Sequence, residues 1–285
     1  MADPMHEAAM LRRLILSMPL IFAAALPLHA EPAPVASLYA ALDLERLVAV
    51  LHSEGVKYGD DLEDELFGGA GGARWDAIVA DVHDQARMKR ILTDRLSTDL
   101  AGQEAAVARM VTFLEADPGK RIVALELSAR EALLEDSVRD AAEINWQDML
   151  DEKEPRTDLI RRFSDVNDLI EMNVAGGMNS NLAFFKGMVA GGAPDPALNE
   201  TDMMADLWAQ EPRIRQDTED WLFPYLAMAY QPLSDADLDA YIAFSESPEG
   251  QMLNAALFAA FDVLFVSVSQ DLGFAAARFA QGEDL

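Results

Sequence analysis

From residue 37 onward, apolar positions recur every three or four residues, the spacing of one helix face. Leu38, Leu42, Leu47, Val48, Val50 and Leu51 form the first stripe, with Asp43 and Glu45 on its polar side and Gly55 as the predicted stop. Ile78, Val79, Val82, Met88, Ile91 and Leu92 form another over 75–96. A helix opened at Pro118 is expected to continue as far as Asp151, where Asp151-Glu-Lys-Glu-Pro155 breaks it. Leu159, Ile160, Phe163, Val166, Leu169 and Ile170 resume the period, and Gly176-Gly177-Met-Asn-Ser-Asn181 reads as a helix end with glycine as its left-handed cap. Residues 199–230 are rich in Met and aromatics at core spacing, and Pro224 is expected to break or kink them. The run from Ala255 to Val268, interrupted by Asp262, reads as a buried helix too short and too acidic at its centre to span a membrane. No alternating run of Val, Ile or Thr competes, so the predicted fold class is all-α, a helical bundle.

One pattern occurs twice. Phe113-Leu-Glu-Ala-Asp-Pro-Gly119 and Phe244-Ser-Glu-Ser-Pro-Glu-Gly250 each close an amphipathic helix on Phe and open another at Asp117-Pro118 or Ser247-Pro248. A capping Asp or Ser accepts a bond from an orphan backbone N–H, and Pro in the first helical position gives up a donor that had no partner. Gly119 and Gly250 are expected to let the end of one helix pack tightly over the start of the next. Laid without a gap, 90–113 falls on 221–244, with Val107, Met110, Val111 and Phe113 on Leu238, Tyr241, Ile242 and Phe244. The stripe and the corner chemistry repeat together, which predicts two tandem helical repeats, 37–155 and 156–281.

These corner residues carry a resemblance. A helix ending in Phe, then Ser-Pro-x-Gly-Gln and a long apolar helix resembles the bacterial exported-protein family known as domain of unknown function twenty fifty-nine. Phe244, Ser247, Pro248, Gly250 and Gln251 match that pattern closely, whereas the first copy departs at Asp117-Pro118-Gly119-Lys120. The resemblance covers about a quarter of the chain per copy. It implies an exported helical protein and no particular activity.

The first 30 residues read as a signal peptide. Arg12 and Arg13 precede an apolar run, Leu14 to Leu28, which ends in Leu28-His29-Ala30 before Glu31-Pro32. A periplasmic or secreted protein, with no membrane span after cleavage, is the expectation. The chain has no cysteine and a formal net charge of -28. The absence of Cys removes disulfide and thiolate chemistry, and an acidic surface repels nucleic acid and anionic lipid headgroups, so neither is an expected partner. Basic or cationic ligands fit that charge better.

Candidate chemistry is sparse. Asp60, Asp61, Glu63, Asp64 and Glu65 make the one dense carboxylate cluster, but without the Asp/Asn-and-Gly alternation of a calcium loop they read as a solvated face. His83, between Asp81 and Asp84, is tested as an acid–base group and read as an exposed or capping residue. Ser180, between Asn179 and Asn181, is a candidate hydrogen-bonding contact for a ligand. No metal site, cofactor or Gly-x-Ser-x-Gly elbow is expected. Two functional classes follow: a non-catalytic envelope or protein-interaction module with an unknown protein partner, and a periplasmic hydrolase using a carboxylate pair. A cleft holding a desolvated Asp or Glu is what would favour the second.

Overall fold

The amphipathic stripes fold as helices throughout the computed structural model, which describes residues 33–193 and 200–282. The predicted signal peptide lies outside these residues. In chain order the helices are α1 (Ala33–Ala41), α2 (Leu44–Phe67), α3 (Gly72–Val82), α4 (Gln85–Asp99), α5 (Glu104–Glu115) and α6 (Gly119–Ala132). They continue as α7 (Asp136–Asp151), α8 (Arg156–Val166), α9 (Leu169–Ala190), α10 (Glu200–Tyr230), α11 (Asp235–Glu246) and α12 (Pro248–Ala280). No strand occurs among the described residues, and the all-α expectation holds.

Several boundaries differ from the sequence expectation. Gly55 does not stop α2; it is buried inside the helix, and a Cβ there would fall 2.1 Å from the His83 ring. The acidic residues 60–65 therefore occupy the last turns of α2, where the Glu63 carboxylate accepts from the N–H groups of Gly71 and Gly72 at 2.7 and 2.9 Å and so caps α3. The 75–96 stripe is two helices, divided where Asp84 accepts from the Arg87 N–H at 2.8 Å. The helix expected to reach Asp151 stops at Ala132, and the freed carbonyl of Leu134 accepts from Lys57 Nζ at 2.9 Å. Gly176 and Gly177 lie inside α9 rather than at a helix end, and α10 continues through Pro212 and Pro224.

Two cores form. The first gathers Leu38, Leu51, Trp75, Leu92 and Met110 from α1 to α5 around Leu253, Ala260, Leu264 and Leu272 of α12. The second gathers Trp146, Ile160, Leu226, Leu238 and Ile242 from α7, α8, α10 and α11 around Ile122 and Ala129 of α6. Residues from 37–155 and from 156–281 enter both cores, so packing does not follow that division. The helix after each corner supports the other half of the molecule.

At 33 residues α12 is much longer than the apolar run suggested, and it is long and apolar enough to cross a membrane by length and composition. Here it is the axis of the first core and lies along α9 at very close range. A Cβ on Gly187 would stand 2.0 Å from the Gln270 carbonyl, and one on Gly273 would stand 2.1 Å from that of Phe184. Only glycine permits this approach.

The corners meet. Phe113 and Phe244 stack with ring centroids 4.0 Å apart and planes 2° from parallel. At the second corner Ser247 caps α12, accepting from the Gly250 N–H at 3.1 Å, with Pro248 opening the helix. At the first corner Asp117 makes no side-chain cap; the Asp117-Pro118 peptide is cis, and α6 starts at Gly119. This corrects the predicted Asp cap. Both glycines pack on the preceding Phe carbonyl, a Cβ on Gly119 coming within 2.3 Å of Phe113 O and one on Gly250 within 2.0 Å of Phe244 O. Three helix boundaries share one offset: Asp99 and Tyr230, Glu104 and Asp235, and Glu115 and Glu246 are each 131 positions apart.

Candidate functional site

Because α6 turns one face to the second core through Ile122 and Ala129, helical spacing puts Glu126 and Arg130 on that same face. Neither residue is apolar, and the space before them is a cavity of about 770 Å³. Its walls come from α6, α8, α9, α10, α11 and α12 and are mostly apolar, with Phe163, Met172, Trp221, Phe258, Phe261 and Phe265 among them.

A set of tyrosines clasps Glu126. The Tyr230 hydroxyl, at the end of α10, donates to Glu126 Oε1 at 2.7 Å. Tyr241 of α11 hydrogen-bonds the same carboxylate, and the Tyr225 hydroxyl donates to the backbone carbonyl of Glu126 at 3.3 Å. Tyr230 is fully buried, and its ring meets Phe163 edge-on at 5.3 Å. Tyr241 stacks on Phe163 at 4.8 Å and lies parallel to Phe113 at 6.2 Å. The stacked corner thus helps fix the tyrosine that holds the carboxylate.

These surroundings set the protonation states. Burial raises the Glu126 carboxyl from an ordinary 4.5 to about 7, against the opposing pull of the Tyr230 and Tyr241 hydrogen bonds. Burial, with the nearby Glu126 charge adding to it, pushes the hydroxyls of Tyr225, Tyr230 and Tyr241 far above their usual range, so all three remain donors at neutral pH. Glu126 is accordingly divided between acid and carboxylate near neutrality.

The charged group beside it is already engaged. Arg130 grips Glu54 of α2 through two parallel bonds, Nε to Oε1 at 2.7 Å and Nη2 to Oε2 at 2.9 Å. Its guanidinium carbon also lies 5.8 Å from the centroid of the Trp221 ring. On the opposite wall, Asn179 Nδ2 donates to Asp262 Oδ1 at 2.8 Å, which joins α9 to α12. Asn254 and Gln251 of α12 donate to the backbone carbonyls of Asn167 and Val166 at 2.9 and 3.0 Å, which closes the end near α8.

Of the residues singled out by sequence, Ser180 lines this cavity, together with Asn173 and Asn179 of α9. The polar break read as a helix end is instead the polar strip of a cavity wall. His83 does not belong to the cavity. It is 5% exposed rather than solvent-facing, ends α3, and donates from Nδ1 to the Val79 carbonyl at 2.9 Å. Its own carbonyl accepts from His52 Nδ1 at 2.8 Å. Desolvation lowers its pKa, so the ring is neutral at pH 7. It lines a separate cavity of about 200 Å³ with Glu54, Gly55 and Tyr58. The corner residues Phe113, Asp117, Pro118, Gly119, Phe244, Ser247, Pro248 and Gly250 stand outside both cavities. Among the described residues no three His, Asp or Glu side chains converge to hold a metal ion.

Sequence reading passed over Glu126, Tyr230 and Tyr241 as a group. The one local signal was an acid within Leu-Glu-Leu, four positions after Ile122 and three before Ala129, where the stripe calls for an apolar residue.

Comparison with family models, curated proteins and solved structures finds no match.

Proposed function

We propose that this chain is an exported helical binding protein that holds a small, largely apolar molecule in the cavity beside Glu126. The observation that carries the reading is the pairing of apolar walls with one clasped carboxyl on the inner face, the usual composition of a ligand pocket. Apolar area gives affinity there, and Glu126 with its tyrosines orients the polar end of the ligand. Export rests on the signal-like first 30 residues and on the corner resemblance. The shared offset of helix boundaries in turn supports reading the corners as copies of one unit.

The test is equilibrium titration with Nile red, a neutral apolar fluorophore. Saturable binding at one site is expected, and Ala259→Trp, which places an indole in the cavity, weakens it at least about tenfold. Absence of saturable binding, or binding indifferent to Ala259→Trp, refutes the proposal.

A second reading is favoured by one observation: Glu126, titrating near neutrality, and Asp262 line the same cavity. This is the composition of an acid–base pair. A hydrolase of this kind releases soluble fragments from purified cell-wall polymer and loses that activity in both Glu126→Gln and Asp262→Asn. Fragment release equal in the wild type and both variants removes it.

A further inference from the structure

Resting on the binding proposal, we propose that the polar end of the ligand is a cation, an ammonium carried on an apolar body, seated between the Glu126 carboxylate and the aromatic wall.

The titratable groups around the cavity support this element by element. From its own helix comes Arg130, whose fork is occupied by Glu54 of α2 and leaves little positive charge for a ligand. From α10 and α11 come Tyr225, Tyr230 and Tyr241, which stay protonated. From α12 comes Asp262, a second carboxylate, while α8 and α9 line the cavity with uncharged residues. Arg130 is the one basic residue among those lining the cavity. The cavity wall thus carries two carboxylates against one arginine already neutralised by a third.

Three kinds of head group meet that wall differently. A carboxylate ligand sets like charge beside like and binds only when Glu126 is protonated. A neutral hydroxyl accepts from a tyrosine or donates to Glu126 and leaves the buried charge uncompensated. An ammonium supplies the missing opposite charge with a charge-assisted hydrogen bond. Its other faces lie against the aromatic wall, where Phe258, Phe261 and Phe265 line the cavity and aromatic rings attract cations. The net charge of -28 raises the local concentration of cations at the entrance. Burial weakens the charged form of Glu126, so a cation gains from completing the pair.

The experiment compares octylammonium, 1-octanol and octanoate by isothermal titration calorimetry at pH 8 on the full mature chain. The chain is common to the three and only the head changes. Octylammonium binds about tenfold tighter than either partner, the factor expected for one charge-assisted hydrogen bond. In Glu126→Gln the three affinities converge. In the wild type near pH 7, octylammonium binding also releases protons, seen as a heat that varies with the ionisation enthalpy of the buffer, and octanol binding does not. That second readout holds even if Glu126→Gln fails to fold. Equal or tighter binding of octanol or octanoate overturns the cation inference and leaves the binding proposal standing. An ammonium preference that persists in Glu126→Gln, or arrives without proton release, also overturns it, since surface charge then explains the result. If none of the three binds, the cavity reading and the cation inference fall together.

Discussion

Replacing Glu126 by Gln should change the pH dependence of stability with a definite sign. The carboxyl goes from an ordinary 4.5 in the unfolded chain to about 7 in the folded protein. Between those values the native state holds a proton that the unfolded state has released. Stability from this group is therefore fully present below pH 4.5 and lost as pH rises through 7. Each pH unit of the interval is worth about 1.4 kcal/mol, so the wild type loses about 3 kcal/mol from Glu126 across it. Gln keeps a carbonyl to accept from Tyr230 and has nothing to ionise. Exposed carboxylates held down by arginines, such as Glu131 beside Arg46 and Glu171 beside Arg215, push the total in the other direction but are common to both proteins. The difference between variant and wild type isolates Glu126. Guanidinium unfolding at pH 5, 6, 7 and 8 should show Glu126→Gln gaining on the wild type by about 2.5 kcal/mol from the acid end to the alkaline end. A difference flat within about 0.5 kcal/mol over that range refutes the burial argument.

The two glycine environments predict opposite outcomes in thermal unfolding. Gly250→Ala, whose methyl meets the Phe244 carbonyl at 2.0 Å, should cost about 2 kcal/mol or more, while Gly176→Ala, with nothing within 4 Å, should gain about 0.5–1 kcal/mol. Equal effects would contradict the packing described at the corner. At the caps, Ser247→Ala should cost about 1 kcal/mol and Asp117→Ala should stay within about 0.5 kcal/mol, because Ser247 caps its helix and Asp117 does not; denaturant midpoints decide. For His83, the folded pKa lies below the unfolded 6.5, so its contribution is present above pH 6.5 and is lost as pH falls toward the folded value. The stability deficit of His83→Asn should then shrink on acidification from pH 7.5 to 5, and a constant deficit would count against burial of a neutral ring.

Local features were legible in the sequence and composite ones were not. Stripes such as Val107, Met110 and Leu238, Ile242 announce their buried faces because helical period is a property of neighbouring residues. Ser247-Pro248 announces its cap for the same reason. The end of α6 carries no glycine or proline, and the carbonyl it frees is satisfied by Lys57, 77 positions away, so nothing nearby marks it. His83 was read through its acidic neighbours, which do face solvent, while the ring turns inward against Gly55. The cavity depends on six helices at once. Ser180 reached it by its polarity alone, and Glu126 was visible only as an acid out of phase with its stripe.

The long α12 has a consequence for how the protein comes into being. Leu253 to Ala276 fill the space that α1 to α5 enclose, so the earliest segments to be made have no finished interior until the latest arrive. Those long-range contacts must wait for the tail, so the front half cannot complete its core by local contacts alone. Loss of the tail would leave Trp75 and Leu92 without their cover and would cost the front half of the molecule its shape.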